Sequence, residues 1–285
     1  MAVTAEQVNR LRKKTGAGMM DCKKALVEAN GDMEKAIEIL RKKGAAVAAK
    51  RAEKAANEGL VVTKISDDQS TGTILEINCE TDFVANSDDF VKLANAVLDA
   101  AHSKKPASVS ALVEDETEVK NKINEVLGKV GEKIEVSRFA NETASNGIVV
   151  GYIHLGSKLG VLARFDDVAD KKDDFDSISK DIAMQIAAMN PICVNREDVP
   201  KDIINKEVEI YKELAKKEGK PEQMLDKIAT GRLNKFYQEN VLLEQAFIKD
   251  NSKSVGDLLK EFNAKNGTNI KIKLFHRFHL GDEKK

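Results

Sequence analysis

Three kinds of side chain invite a chemical reading of this sequence: thiols, imidazoles and apolar groups in unexpected places. Cys22 and Cys79 are candidate nucleophiles, and Cys22 has Lys23 and Lys24 beside it, whose charge would favour a thiolate. Both thiols also lie in apolar patterns, where cysteine behaves as a small buried hydrophobe. His276 and His279 have a spacing that suggests a metal pair. On a strand, however, residues three apart face opposite sides, and no cysteine or second histidine pair completes a ligand set. No metal and no cofactor is expected. The chain has no phosphate-cradling glycine loop and no G-x-S-x-G turn. No catalytic constellation is assigned, so the chemistry left to consider is that of contact.

Two stretches carry it. The run Glu76-Ile77-Asn78-Cys79-Glu80-Thr81-Asp82-Phe83-Val84-Ala85-Asn86 reads as the end of a buried strand that breaks into an acidic and aromatic tip. Taken alone, Phe83 reads as core, since phenylalanine is often buried. The run Thr15-Gly16-Ala17-Gly18-Met19-Met20 puts two methionines in or just after a loop. One of them can staple the neighbouring helices, or the pair can form a soft contact surface for a partner. The residues leave both readings open.

The bulk numbers bound the class. At 285 residues the chain is long enough for two modest domains, or for one core with appendages. Lys and Arg number 46 against 47 Asp and Glu, giving a net charge of −1. A protein that grips a phosphate backbone over a broad surface carries a basic excess, so direct nucleic-acid binding is not expected. No apolar stretch is long enough to span a bilayer, so no membrane contact is expected. Met1-Ala2-Val3-Thr4-Ala5-Glu6 lacks a basic n-region and an apolar h-region, which argues against a secretory signal. Three widely spaced cysteines (Cys22, Cys79, Cys193) form no disulfide framework and fit a reducing, cytoplasmic setting.

The elements that must position the two stretches follow from local pattern. Residues 1–44 read as a three-helix bundle. Thr4 and Gln7 make a capping box, Val8 and Leu11 give the first apolar stripe, and Gly16 stops the helix. A second helix spans about Met20–Ala29, with Cys22, Ala25, Leu26 and Ala29 on one face. Asp32 caps a third, with Met33, Ala36, Ile37 and Leu40 at helical spacing, and Gly44 is expected to close it. Residues 45–58, rich in Ala, Lys and Glu, read as a semi-rigid helical linker.

The rest of the chain is a duplication. Gly59-Leu60-Val61-Val62 matches Gly147-Ile148-Val149-Val150, and Gly72–Ile77 matches Gly160–Phe165 at the same offset of 88 residues. Each unit reads as a β-hairpin followed by a helix, so an α+β core with antiparallel sheets is expected. The first core subdomain covers 59–140. The second covers 147–199 and 241–285, with an alternating strand through Ile270, Ile272, Leu274, His276, Phe278 and Leu280 completing its sheet. Residues 200–240 form an inserted pair of charged helices joined at Gly219-Lys220-Pro221, an antiparallel coiled-coil hairpin with Pro221 at the first helical position. Asp170-Lys171 falls where the first unit has Asp82-Phe83. A charged residue at that place implies solvent, so the scaffold does not need an aromatic there. The repeat therefore shifts Phe83 from core towards an exposed role.

With these motifs the chain resembles bacterial elongation factor Ts, the guanine-nucleotide exchange factor for elongation factor Tu. The resemblance rests on Leu11–Leu26 (LRKKTGAGMMDCKKAL), on the Glu76–Asn86 run with Thr81-Asp82-Phe83-Val84, and on the order of parts along almost the whole chain. It implies a ubiquitin-associated-like (UBA-like) bundle, a duplicated core and a coiled coil. It also implies that the tip Thr81, Asp82, Phe83 and Val84 enters the GTPase domain of elongation factor Tu beside its switch region. There it disturbs the Mg²⁺ and phosphate contacts of GDP. Met19 and Met20 are implied to pack on the same domain, and the turn His154-Leu155-Gly156 to meet another domain of the partner. GDP-bound and nucleotide-free elongation factor Tu are the implied partners. Longer family members carry a further C-terminal helix, and since only Gly281–Lys285 follow the last strand here, that contact is not carried over. Two other readings stand beside this one: a UBA-type interaction module for a different partner, and a thiol enzyme using Cys22 or Cys79. The hairpin 200–240 is free to touch the partner or to pair two copies into a homodimer.

Overall fold

The computed structural model describes residues 3–168 and 171–282. It opens with α1 (Ala5–Thr15), α2 (Met19–Glu28) and α3 (Met33–Arg51). The Thr4 capping box forms: Gln7 N–H donates to Thr4 Oγ1 at 3.2 Å, and Thr4 N–H donates to Gln7 Oε1 at 2.9 Å. Asp32 Oδ1 caps α3 through the N–H groups of Glu34 and Lys35. Leu11, Cys22, Leu26 and Ala36 are fully buried at the centre of the three helices.

A first antiparallel hairpin pairs β1 (Glu58–Ile65) with β2 (Thr71–Cys79). The chain then makes a single helical turn, α4 (Asp82–Ala85), and a long helix, α5 (Asp88–Lys104), capped by Ser87. After a π-turn at Ala111–Asp115 comes α6 (Thr117–Val130), then β3 (Ile134–Thr143) on the far side of β2. The second unit repeats the plan with β4 (Gly147–Ile153), β5 (Leu159–Asp166) and α7 (Lys172–Met189). Helices α8 (Lys201–Lys217) and α9 (Leu225–Asn240) follow. A small hairpin of β6 (Ala246–Phe247) and β7 (Asp250–Ser254) leads to α10 (Val255–Asn266). Last is β8 (Lys271–His279), which pairs antiparallel with β5 and completes the second sheet as expected. The fold is α+β.

The two sheets, β1-β2-β3 and β4-β5-β8, are related by the internal repeat down to their irregularities. Both central strands carry a register shift at the same repeat position, between Glu76 and Ile77 and between Arg164 and Phe165. They pack face to face through Val61, Ile74, Val149, Leu162 and Phe278. Each half also lends its hairpin turn to the other. Val61 N–H donates to Ser157 O at 2.7 Å, and its repeat mate Val149 N–H donates to Gln69 O at 2.8 Å. Arg138, paired with the buried Glu76 in its own sheet, donates to His279 O at 3.1 Å, and a bond between His276 Nε2 and Glu142 adds a second polar link across the same junction.

Two expectations from local pattern are corrected. Gly44 does not close the third helix: α3 continues without a break to Arg51, and residues 52–57 are neither helix nor strand. The glycine is instead a crossing point, because a Cβ on it would stand 2.3 Å from the backbone oxygen of Asn124 in α6. The close approach of two backbones outweighs the local stop signal. Pro221 does not open the second hairpin helix either. It precedes a 3-10 turn, Glu222–Met224, and α9 begins after that.

Candidate partner-binding surface

The tip is built from the end of β2 outwards. Thr81 leaves the strand in an extended conformation and caps α4, its Oγ1 accepting from Val84 N–H at 3.4 Å. Ala85 is buried and Val84 packs on the first core, which turns Asp82 and Phe83 outward. Phe83 is 86% exposed, although phenylalanine is normally a core residue. Glu132, in the loop after α6, takes Thr81 N–H at 3.0 Å and Thr81 Oγ1 at 2.7 Å. Next to it, Glu80 accepts from Lys133 N–H at 2.7 Å and from Arg51 Nη1 at 2.7 Å on each oxygen. The backbone bond from Lys133, with help from Arg51, holds the Glu80 carboxyl below its usual range.

The turn between β4 and β5 belongs to the same neighbourhood. Lys158 bonds Glu58 at 2.7 Å, and its ammonium is favoured first by Glu58 and further by the charge of Asp82. In that turn Leu155 is 96% exposed, Gly156 has φ +90°, and His154 Nδ1 sits 2.9 Å from Tyr152 Oη. Met19 and Met20 open α2 and are 55% and 62% exposed. Neither staples the bundle, whose partly buried methionine is Met33. The preceding loop rests on Lys129 of α6, whose Cε would lie 2.5 Å from a Cβ on Gly16. Lys129 in turn reaches Asp89, at the start of α5, at 3.5 Å.

The second half of the core is built differently here: among the described residues no separate helical turn like α4 stands between β5 and α7. The sequence repeat sets Lys171 against Phe83, but α5 and α7 match at an offset of 85, with Phe90 and Phe175 both buried and Lys105 and Asn190 both left-handed at the C-caps. The second half is three residues shorter here, and Lys171, half-buried and paired with Asp174 at 3.1 Å, is not the structural counterpart of Phe83. Lys172 Nζ donates to Asp68 O at 2.8 Å, the mirror of the Lys158 turn beside Asp82. Asp68 is held at about 2 by hydrogen bonds from Ser66 and Ser70. Asp170, which the sequence repeat sets against Asp82, lies outside the described residues.

The reactive groups read from the sequence are set apart. Cys79 is buried, donates to Thr81 O at 3.2 Å, and is pushed up to about 12 by burial and by the charge of Glu132. Cys22 is buried and donates to Ala17 O. His276 is engaged with Glu142 and His279 lies near Asp282. Among the described residues no group of three or more His, Cys, Asp or Glu is placed to share a metal ion, and no helix is long and apolar enough to cross a membrane. Sequence reasoning missed Arg51, Glu80 and Glu132 as supports of the tip. They lie far apart in sequence and follow no period.

Residues 80–282 match the family model described as elongation factor TS. Over 289 aligned residues the chain is 46% identical to elongation factor Ts of Chloroherpeton thalassium, covering 99% of each. It is 48% identical to that of Prosthecochloris aestuarii, covering 98% of this chain and 99% of the relative. Identity to that of Chlorobaculum tepidum is also 48%, with the same coverage. Phe83 lies inside the matched segment, and the relatives extend the match to the bundle that the family model leaves out. The chain belongs to the elongation factor Ts family.

Proposed function

We propose that this protein is a cytoplasmic guanine-nucleotide exchange factor for elongation factor Tu, acting through non-covalent contacts alone. The observation that carries the reading is Phe83, a large aromatic held almost fully in solvent on a braced single-turn helix. Together with Asp82 it is the wedge that enters the GTPase beside the switch region and loosens the Mg²⁺ and phosphate contacts of GDP. Thr81 and Val84 frame it. Met19 and Met20 dock on the same GTPase domain, and His154, Leu155 and Gly156 meet a further domain. The proposed layout is bundle (1–44), linker (45–58, whose first part is the end of α3), two core subdomains (59–140; 147–199 with 241–285) and coiled-coil insertion (200–240).

An exchange factor of this kind needs differential affinity rather than a reactive group. It binds nucleotide-free elongation factor Tu better than the GDP form, and reciprocity requires that GDP weaken its binding by the same ratio. Each tenfold loss of GDP affinity needs about 1.4 kcal/mol. One aromatic anchor in a desolvated pocket supplies about 2 kcal/mol or more. The test is release of a fluorescent GDP analogue from purified elongation factor Tu. Release should accelerate on addition of the protein, and Phe83→Ala should remove most of that acceleration. Unchanged release with the folded Phe83→Ala protein would remove the wedge role.

A further inference from the structure

An exposed aromatic can pry only if the backbone behind it does not yield. Helix α4 has four residues, too few to be stable by itself, because helix nucleation fixes several dihedrals for a single hydrogen bond. Its rigidity must come from outside. Two dipeptides provide it in a crossed arrangement. Thr81 N–H and Oγ1 donate to the Glu132 carboxylate, while Lys133 N–H donates to the Glu80 carboxylate. The backbone of each dipeptide is held by a side chain of the other, across more than fifty residues of chain. Such bonds to ionised acceptors are stronger than neutral ones. The remaining Glu80 contacts go to Arg51, the last residue of α3. Because α3 is one helix from Met33 to Arg51, the element that closes the methionine-bearing bundle also ends on the tip.

The second half of the core acts as an internal control. At the repeat offset, Glu80 corresponds to Val168, which is buried in the apolar core. By the β3–β8 correspondence, Glu132 and Lys133 correspond to Thr268 and Asn269. Thr268 turns to Asn263 instead, at 2.8 Å. The crossed clamp is therefore missing from the half that lacks the α4 turn. Clamp and aromatic-bearing turn occur together and are absent together, although the two halves share the plan of their sheets and long helices.

We infer that Glu80 and Glu132 are positioning residues for the Phe83 tip, and that Arg51 couples the tip to helix α3. The exchange effect of these residues rests on the proposed function above, whereas the bracing of the tip does not. They touch no nucleotide and act through the direction in which Phe83 is held.

The chain contains no tryptophan, so Phe83→Trp introduces a single reporter at the tip. Time-resolved anisotropy of that variant should show slow motion with the chain as a whole. Adding Glu132→Ala should introduce a fast component and lower the residual anisotropy about twofold, as a side chain on a loosened loop requires. In the GDP-release assay, Glu132→Ala with Phe83 intact should lower the maximal rate about tenfold. The half-saturating concentration should move less, by about threefold, because the rest of the interface remains. The double variant Glu132→Ala/Phe83→Ala should be no slower than Phe83→Ala alone, since the clamp has no other route to the partner. Arg51→Met, at a partly exposed helix end, should act in the same direction with a smaller loss. If Glu132→Ala fails to fold, Glu132→Gln replaces it, removing one of the two acceptors at nearly constant volume. Unchanged anisotropy overturns the positioning role, as does full additivity of the two losses. If the unmodified protein fails to accelerate release, the exchange reading falls, and the anisotropy result alone decides whether the clamp braces the tip.

Discussion

Gly72 in β2 lies so close to Val149 in β4 that a Cβ on the glycine would stand 2.5 Å from the valine Cγ1. Their repeat mates, Gly160 and Val61, meet in the same way at 2.6 Å. The β-branched valines cannot rotate aside without leaving their preferred rotamer. Gly72→Ala and Gly160→Ala should each destabilise the protein by about 1–3 kcal/mol through overpacking. Urea unfolding will measure this, and shaving the valine in Gly72→Ala/Val149→Ala should recover part of the loss. A neutral Gly72→Ala would mean that the two sheets do not meet in this register.

The tip should be costly to function and nearly free for folding. Phe83 gives little area to the core, so Phe83→Ala should change unfolding stability by no more than about 0.5 kcal/mol. Thermal melts of the variant and the parent should overlay while GDP release from elongation factor Tu differs. A large fall in melting temperature would show that the ring is buried in solution.

Cys79 offers a test of the pH behaviour of the tip's foundation. Its thiol rises from 9.0 to about 12 through burial and the Glu132 charge. At pH 8 the thiolate fraction is then roughly 10⁻⁴, against roughly 10⁻¹ in the unfolded chain, so folded Cys79 should alkylate about a thousandfold more slowly. A raised folded value means that the native state keeps its proton longer. Stability from this group is fully present below pH 9 and is lost as pH climbs towards 12. Mass spectrometry after iodoacetamide treatment reads the first effect. Rapid labelling of Cys79 at pH 8 would contradict the buried placement.

The base of the helical hairpin depends on a buried amide. Gln185 Oε1 accepts from Ile248 N–H at 2.8 Å, and its Nε2 donates to Gln245 Oε1 and Ala246 O at 3.1 Å. Gln185→Leu keeps the volume and strands these partners, which should cost about 1–3 kcal/mol for each group left unsatisfied. Hydrogen exchange should report faster exchange at the Ile248 amide. Retained protection there would mean that another acceptor is available.

Much of this architecture was legible because it is locally encoded or duplicated. Thr4, Ser87 and Asp32 announce helix starts through side-chain chemistry that needs no tertiary partner. The second copy points to a scaffold that folds without an exposed aromatic, but the pairing of Phe83 with Lys171 fails, because the offset falls from 88 in the strands to 85 in the helices that follow. What was hidden depends on contacts between distant segments. Gly44 carries an ordinary stop signal, and only the Asn124 backbone across from it makes the glycine a crossing point. The β6–β7 hairpin turns at Ile248-Lys249, without the Asn-Gly or Asp-Gly pair that marks such turns. The Glu80 and Glu132 clamp joins residues about fifty positions apart, where no periodicity reaches.

The exchanged bonds Val61 to Ser157 and Val149 to Gln69 have a consequence for valency. Two halves that each complete the other have the construction of a symmetric pair joined end to end. A pair of that kind with two identical ends would present two wedges and could bridge two GTPases. With no counterpart of the α4 turn in the second half, one end is blunt. On the proposed reading each chain then engages a single elongation factor Tu, and the stoichiometry of the complex is set by a short turn that only one of the two copies carries.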